Sequence, residues 1–363
     1  MARTSVIIEG DVAVRRAHPD AGGFVGGPLR RREEREAELA AALAPGATRP
    51  VGAGVRAAPE EPDPFRLCFE RDLDRVKHSR PWRRLAGKCQ VFVAPEDDHL
   101  RTRLTHAVEV AQVATGIARA ASLCVPLVEA IALAHDCGHG PAGHASEEAF
   151  SPYLPETGYD HAVYGADVTL ASLNLCLETL DGVRNHSWRR PAPATPEGEV
   201  VAWADRIAYV CHDFEDALRA GILDAGDLPA EVRDVVGTRR SEQIGRFMLA
   251  VLDAIERTGH VGMTEPAASA LATFREFNFE RIYLRPAARR QADRVIALLR
   301  GLVEHFADVP TRIPDVAGGV VEPGSPAATA EAVHYVSGMT DRFALGRGVE
   351  LLGWAPDQLP RGV

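Results

Sequence analysis

The stretch that decides the fold is "RLTHAVEVAQVATGIARAA", residues 103–121, in which small apolar side chains recur every three or four positions. That spacing places them along one side of an α-helix. The predicted apolar stripe consists of Leu104, Val108, Ala111, Thr115 and Ala118. A second apolar helix is predicted from Pro126 in "PLVEAIALAHD", residues 126–136, because proline suits a first helical turn and Gly138 suits a helix end. These two segments predict a helical core.

The rest of the chain continues the helical pattern. A third helix is predicted from Pro196 to Gly221, with Glu197 and Glu199 in its first turn, where the helix dipole favours acids. Further helices are predicted over residues 241–258, 265–280, 286–307 and 328–345. Because alternating strand patterns are nearly absent, the predicted fold class is all-α.

The first residues differ in composition from the remainder. Residues 1–62 are rich in Gly, Ala, Pro and Arg, which predicts a flexible arm with one short helix near 32–43. Residues 63–363 are predicted to form one main helical domain. No window approaches the roughly 20 apolar residues that a membrane-spanning helix needs, so no membrane partner is expected.

Charge and cysteine content narrow the classes of protein to which the chain could belong. Six cysteines without a Cys-x-x-Cys pair favour reduced thiols and a cytoplasmic protein. A net charge of -10 argues against a surface that follows nucleic acid as a whole. Basic residues nevertheless outnumber acidic ones between Arg66 and Arg103, which indicates a local anion site.

The segment "AHDCGHGPAGHASEEAF", residues 134–150, carries the densest candidate chemistry. His135 and Asp136 are adjacent where a helix ends, so both could reach one divalent ion. The alternative is a capping Asp beside a surface His. Further along, His144 and Glu147 are three residues apart, a spacing at which a carboxylate can orient a His for proton transfer. The alternative there is an ordinary helix start.

Two distant residues favour the metal interpretation. His106 lies on the first helix, off its apolar stripe, and Asp205 lies on the third helix. Asp205 begins a polar stripe that continues through Tyr209, His212, Asp213 and Asp216. A solvated face would explain such a stripe, but the absence of Lys and Arg from it favours a site.

The order His106, His135-Asp136, Asp205 resembles the H…HD…D pattern of the HD-domain phosphohydrolase superfamily, and the chain is more narrowly similar to the deoxyguanosine triphosphate triphosphohydrolase family. The matching stretches are residues 69–92, 101–118, 127–150, 199–223 and 335–345, including "RLAGKCQVF" and "GMTDRFAL". The resemblance implies an all-α HD-domain fold. Its metal-binding core would span about 100–225, with additional C-terminal helices about 240–350.

The resemblance also implies a role for each matching residue. The implied ligands of a divalent Mg, Mn, Fe or Co ion are His106, His135, Asp136 and Asp205. The implied catalytic pair is His144 and Glu147. The implied substrate-binding residues are Arg103, His139 and His161 toward the phosphates, and Gln90, Tyr209 and Asp213 around the deoxyribose. Three loop positions depart from the usual family residues, with Gly140 for Pro, Ala142 for Phe and Ser146 for Gly.

The family's reaction splits a deoxynucleoside triphosphate (dNTP) into a 2'-deoxynucleoside and inorganic triphosphate, and its members form homo-oligomers. The same four ligands would also suit an HD-domain phosphatase or phosphodiesterase acting on nucleoside monophosphates or other phosphoesters. A third possibility, from a different class, is a regulatory scaffold that binds single-stranded nucleic acid. The acidic net charge speaks against that scaffold.

Overall fold

A computed structural model describes residues 6–9, 11–18, 20, 22–23, 26–93, 97–314 and 321–360. Its first helices are α1 (Arg32–Ala42), α2 (Cys68–His78), α3 (Arg80–Arg84), α4 (Arg103–Ala120), α5 (Val125–Ala134), α6 (His144–Phe150), α7 (His161–Tyr164) and α8 (Leu177–Asn185). The later helices are α9 (Pro196–Arg219), α10 (Ala230–Val236), α11 (Arg240–Thr258), α12 (Ala267–Asn278), α13 (Pro286–Asp308), α14 (Pro326–Ser337) and α15 (Asp341–Leu352). The strands in the described residues form one small antiparallel hairpin, β1 (Val6–Glu9) with β2 (Val12–Arg15). The all-α prediction is confirmed.

One predicted helix is wrong. The sequence pattern predicts a continuous helix over 328–345, but the chain breaks between α14 and α15. At the break, a side chain on Gly338 would overlap with the Arg84 guanidinium, so the chain passes close to α3. The break also lets the Asp341 carboxylate accept hydrogen bonds from the backbone N–H groups of Cys89 and Ala142. Such long-range contacts are invisible to a periodicity argument.

The predicted apolar stripe of α4 is only partly right. Ala111, Thr115 and Ala118 are buried, but the Val108 side chain is 50% exposed. Because α4 packs against α5, α9 and α11, burial extends around most of its circumference. This wide burial also covers His106, which a single stripe would leave outside.

The helices pack into two apolar clusters. The first contains buried residues of α2, α4, α5, α8, α9, α10, α11 and α12. The second contains residues of α13, α14 and α15, together with Ala149 and Phe150 of α6. The turn that follows α5 contacts both clusters, because Cys137 belongs to the first and Ala142 packs against the second.

The segment before α2 is attached to the helical body where the structure describes it. Thr48 donates hydrogen bonds from its backbone N–H and its hydroxyl to Glu197 on α9. Arg56 is buried and pairs with Asp72 on α2 at 2.6 Å. The division of the chain at residue 62 stays a prediction. No helix among the described residues has the length and apolar character needed to cross a membrane.

Candidate active site

The turn that follows α5 presents His135 to the interior. The His135 ring donates from Nδ1 to the Ala132 carbonyl at 2.7 Å, because a carbonyl oxygen only accepts. The Nε2 atom therefore carries a lone pair, and it is buried without a hydrogen-bond partner. The turn is tight since Gly138 lies against the backbone of His161 and Gly165, where a Cβ atom would overlap. Glycine at this position allows the turn to lie close to the backbone of α7.

Three other side chains converge on His135. His106, from α4, and Asp205, from α9, lie 3.0 Å apart between Nε2 and Oδ1. The His135 Nε2 atom is 3.7 Å from the same Asp205 oxygen and 3.5 Å from Oδ1 of Asp136. The packing of α4, α5 and α9 therefore brings together His106, His135, Asp136 and Asp205.

These four residues fit a divalent cation. The unpartnered His135 Nε2 is a costly feature in a buried site unless a ligand satisfies it. Burial raises the pKa of Asp205, but the hydrogen bond with His106 and the nearby His135 hold that pKa well below its usual range. Two imidazoles with two ionised carboxylates suit ions such as Mn, Fe and Co.

Arg103 closes one side of this cluster. It is 2% exposed and donates from Nη1 to the Asp136 Oδ2 atom at 2.6 Å. Burial alone would raise the pKa of Asp136, but the Arg103 charge holds that pKa well below its usual range. The Nε–H group of Arg103 is buried without a partner. A cationic donor is therefore available to an anionic ligand.

His139 and His161 form a stacked pair beside Asp136. Their ring centroids are 3.6 Å apart, with 15° between the planes. The Nε2 atoms of His139 and His161 lie 3.2 Å and 3.9 Å from the same Asp136 oxygen. Burial and the Arg103 charge hold the pKa of His139 well below its usual range. Burial and the nearby guanidinium thus both favour the neutral form of the His139 ring.

Glu147 connects two histidines instead of one. Its Oε2 atom lies 3.4 Å from Nδ1 of His144, whose side chain is 76% exposed. Its Oε1 atom accepts from the backbone N–H of His161 at 3.1 Å and also contacts the His161 ring Nδ1. Burial opposes ionisation, but these hydrogen bonds hold the pKa of Glu147 far below its usual range. Glu147 is therefore an anion that orients both rings.

The site contains a histidine that the sequence-based prediction does not include. His186 follows α8 and is buried. Its Nδ1 donates to the Val183 carbonyl at 2.7 Å, three residues back, as His135 does after α5. Its Nε2 lies 3.2 Å from Nε2 of His161. The available signal is a His at a helix end in "VRNH", which parallels "LAHD".

The polar stripe of α9 is buried toward its C-terminal end, so a solvent-exposed helix face does not explain it. Asp213 accepts a hydrogen bond from the Tyr283 hydroxyl, and its other oxygen, Oδ1, is buried without a partner. One turn earlier, the Tyr209 hydroxyl accepts from Nε of Arg275 at 3.0 Å. Gln90, on the segment paired with residues 101–103, also has a buried side-chain oxygen without a partner. The Asp213 and Gln90 oxygens are therefore available to a ligand, whereas the Tyr209 hydroxyl is already paired with Arg275.

Two further residues attach the C-terminal helices to the site. Lys88 is buried and donates to the carbonyls of His139 and Ser337, the latter at 3.0 Å. Asp341 accepts from Cys89 at 2.9 Å and from Ala142 at 2.8 Å. Neither is among the predicted site residues. The available signal is that both belong to the family-like stretches "RLAGKCQVF" and "GMTDRFAL".

Comparison with known proteins agrees with this geometry. Residues 103–210 match the HD domain family, and residues 261–347 match the phosphohydrolase-associated domain. The helical fold, the His and Asp cluster and these matches define an HD-domain hydrolase.

Relatives extend the similarity over most of the chain. A deoxyguanosinetriphosphate triphosphohydrolase-like protein of Caldanaerobacter subterraneus subsp. tengcongensis is 38% identical over 86% of this chain and 92% of its own. One of Clostridium perfringens is 37% identical over 78% of this chain and 86% of its own. The chain belongs to the deoxyguanosinetriphosphate triphosphohydrolase-like family. A solved hypothetical protein from Aquifex aeolicus is 16% identical, with a TM-score of 0.49 over 79% of this chain and 69% of its own, which adds nothing about the site.

Proposed function

We propose that the protein hydrolyses dNTPs to a 2'-deoxynucleoside and inorganic triphosphate with the help of a divalent cation. The observation that carries the proposal is the convergence of His106, His135, Asp136 and Asp205 around the unpartnered His135 Nε2 atom. The names of the relatives support the substrate class.

The four converging residues would hold the cation. A divalent ion there would neutralise charge that develops on the α-phosphate. Arg103 would bind the phosphates through its unpartnered Nε–H, while its Nη1 keeps Asp136 in place. The Nε2 atoms of His139 and His161 both lie near the same oxygen of Asp136, Oδ1. Both rings would therefore face the same phosphate chain.

His144 is suited to move a proton at the mouth of the site. In the proposed reaction, a water oxygen bonds to the α-phosphorus as the bond to the nucleoside 5'-oxygen breaks. The departing oxygen keeps the electron pair and needs a proton, and a neighbouring base takes the proton of the water. Glu147 contacts Nδ1 of His144, which leaves Nε2 of that exposed ring free to face substrate.

Tyr209 and Asp213 would recognise the sugar. They lie one and two turns after Asp205 on α9, about 6 and 12 Å along the helix axis. The unpartnered Asp213 Oδ1 could bond a 3'-hydroxyl group, and the Tyr209 ring would pack against C2' and exclude a 2'-hydroxyl.

A nucleotide panel tests the proposal. Protein loaded with Mn²⁺ is incubated separately with each of the four dNTPs, with GTP and with deoxynucleoside monophosphates, and nucleoside release is followed by chromatography. We expect deoxynucleoside from at least one dNTP, with much slower release from GTP. Release from monophosphates alone would instead support the phosphatase alternative.

A further inference from the structure

Two free cysteines lie in contact in the core, away from the candidate active site. Cys68 is the first residue of α2, and Cys176 directly precedes α8. The Cys176 thiol donates a hydrogen bond to the sulfur of Cys68. Both residues are buried. The packing of α2 near α8 therefore brings together two thiols that are far apart in the sequence.

The backbone of Gly54 covers both sulfur atoms. A Cβ atom on Gly54 would lie 3.5 Å from the Cys68 sulfur and would overlap with the Cys176 sulfur. The φ of Gly54 is +75°, a conformation that glycine adopts without strain. The chain thus passes directly over the two sulfurs, which share one small space beneath it.

A buried ion pair fixes the backbone of both cysteines. Arg56 donates from Nη2 to the Cys68 carbonyl at 3.0 Å, and its Nη1 lies 2.6 Å from the Asp72 carboxylate. The other Asp72 oxygen accepts from the backbone N–H of Cys176 at 2.8 Å. Because the same ion pair holds both backbones, the two thiols keep their relative position in the folded protein.

Cys68 is the better nucleophile of the two. The hydrogen bond from Cys176 lowers the pKa of the Cys68 thiol and raises the pKa of the Cys176 thiol. A hydrogen bond from the backbone N–H of Phe69 also lowers the pKa of Cys68, as is typical of a thiol at a helix N-terminus. The thiolate is the form that reacts with oxidants.

We propose that Cys68 and Cys176 are a redox modification site, at which the folded protein forms a reversible disulfide on reaction with a hydroperoxide. The Cys68 thiolate attacks one peroxide oxygen, the O–O bond breaks, and hydroxide leaves, which gives a sulfenic acid on Cys68. The Cys176 sulfur then bonds to the Cys68 sulfur as the S–O bond breaks, and the thiol proton leaves with the oxygen as water. The two thiols lose two electrons, and the peroxide gains them.

The oxidant reaches the pair when the covering segment opens locally. Val51 and Val55, on either side of Gly54, are exposed. The segment is attached to α8 by the hydrogen bond from the Leu177 backbone N–H to the Val55 carbonyl at 2.8 Å. A segment with exposed side chains opens at a lower free energy than the core does. The pair can therefore react without global unfolding.

Peptide mapping of the oxidised protein tests the proposal. Fully reduced, folded, full-length protein is treated with hydrogen peroxide, the remaining thiols are alkylated, and the digest is analysed by mass spectrometry. We expect a peptide pair linked through Cys68 and Cys176, which dithiothreitol separates. Cys124 is also buried and provides a matched control, so Cys124→Ser should form the same link and Cys176→Ser should not.

Three results for the wild-type protein would overturn the proposal. They are the absence of a link in peroxide-treated protein, a link from Cys68 to a different cysteine, and a sulfinic acid on Cys68 beside a free Cys176. All three are read from the wild-type digest, so the outcome does not depend on whether a variant folds.

Thermal unfolding of the wild-type protein gives a second measurement. A disulfide that closes so long a loop restricts the unfolded chain, so the linked protein should unfold at a midpoint roughly 5 °C higher and return to the original value on reduction. A midpoint that does not rise would show that the bond does not fit the native packing, and would also overturn the proposal. No nucleotide or metal is present, so both measurements are independent of the proposed function.

Discussion

Asp341 accepts a hydrogen bond from the backbone N–H of Ala142 at 2.8 Å, across 199 residues of chain. Its other carboxylate oxygen accepts from the backbone N–H of Cys89 at 2.9 Å. Cys89 precedes Gln90, and Ala142 lies two residues before His144. A single carboxylate at the start of α15 thus holds the segment with a proposed sugar contact and the loop with the proposed proton donor.

The variant Asp341→Asn should weaken activity without removing the metal. An amide offers one acceptor in place of two and turns a donor toward a backbone N–H, so one of the two segments should shift. A displacement of about 1 Å in a catalytic site costs on the order of 100-fold in rate. We expect kcat/KM for dNTP hydrolysis to fall by roughly 10- to 100-fold.

Glu350→Gln on the same helix is the control, since that side chain is exposed and pairs only with Arg347 among the described contacts. Its kcat/KM should match the wild type, and the metal content of both variants should be unchanged. Full activity in Asp341→Asn would show that the contact does not position the site.

Gly143 should be required for the position of Arg103. Gly143 has a φ of +62°, and a Cβ atom there would overlap with the Arg103 guanidinium. Gly158 has a nearly equal φ of +65°, but its Cβ would meet only the Ser151 hydroxyl at 3.7 Å. Both glycine-to-alanine variants should lose at least about 1–2 kcal/mol in free energy of unfolding from strain at a positive φ. Gly143→Ala should lose more, because the Gly143 ψ of -126° lies outside the left-handed helical region.

Only Gly143→Ala should also raise the KM for dNTP, by about tenfold or more, which is about 1.4 kcal/mol, because it displaces Arg103, the proposed phosphate-binding cation. Steady-state kinetics and chemical denaturation of the two variants measure this difference. Equal KM values in the two variants would remove Arg103 from the phosphate-binding set.

Metal content should distinguish Asp205 from His144. Asp205→Asn removes the charge of a proposed metal ligand that lies 3.0 Å from His106, so we expect both metal and activity to be lost. His144→Ala removes an exposed ring at the edge of the cluster. We expect it to keep its metal and lose about 100- to 10,000-fold in kcat, as for the loss of a general acid. Elemental analysis with single-turnover kinetics makes the comparison, and loss of metal from His144→Ala would reassign that residue.

Stability should depend on the ionisation of Asp213 between pH 4 and 7. Burial raises the pKa of Asp213 from 3.8 to about 7, although the Tyr283 hydrogen bond opposes the shift. The folded protein therefore holds a proton that the unfolded chain releases at lower pH. Protonated Asp213 therefore contributes fully to the free energy of unfolding below the pKa of the unfolded chain, 3.8. This contribution is lost as the pH rises through about 7, the pKa of the folded protein.

Asp213→Asn mimics the protonated form and does not titrate. Because a shift of one pKa unit corresponds to about 1.4 kcal/mol, and about two units separate pH 5 from the folded pKa, the free energy of unfolding of the wild type should fall relative to the variant by about 2.6 kcal/mol from pH 5 to pH 8. Denaturant unfolding of the metal-free proteins measures it. Asp136, Asp205 and Glu147 have lowered pKa values and also make stability depend on pH. Their contributions cancel in the difference between the wild type and the variant, because both proteins contain them. A constant difference would place an ionised Asp213 in the folded protein.

Local patterns in the sequence were sufficient for most of the helices. The predicted ranges 241–258 and 286–307 agree with α11 and α13 to within one residue at each end. Apolar periodicity alone did not reveal the break, which coincides with local capping residues: Gly338 caps the end of α14, and Thr340 immediately precedes α15. The close approach of Gly338 to Arg84 and the hydrogen bonds of Asp341 to two distant segments are not visible in the sequence. The predicted homo-oligomer, the cytoplasmic location and the individual residue roles stay predictions.

The site illustrates the same limit. His135 and Asp136 are adjacent in sequence, and the resemblance pointed to His106 and Asp205 as their partners. His186 escaped prediction because its relation to His161, a 3.2 Å contact, arises from the packing of α7 and α8. Lys88 and Asp341 escaped because their partners are backbone groups, which leave no pattern of side-chain types.

The measurement that tests the proposed reaction most directly is the identity of its phosphorus product. Protein loaded with Mn²⁺ hydrolyses dGTP in isotopically labelled water, the metal is removed, and the products are examined by phosphorus NMR and mass spectrometry. We expect inorganic triphosphate that carries one labelled oxygen on a terminal phosphate, together with unlabelled deoxyguanosine. Orthophosphate, pyrophosphate with dGMP, or label in the nucleoside would contradict attack at the α-phosphorus with release of triphosphate.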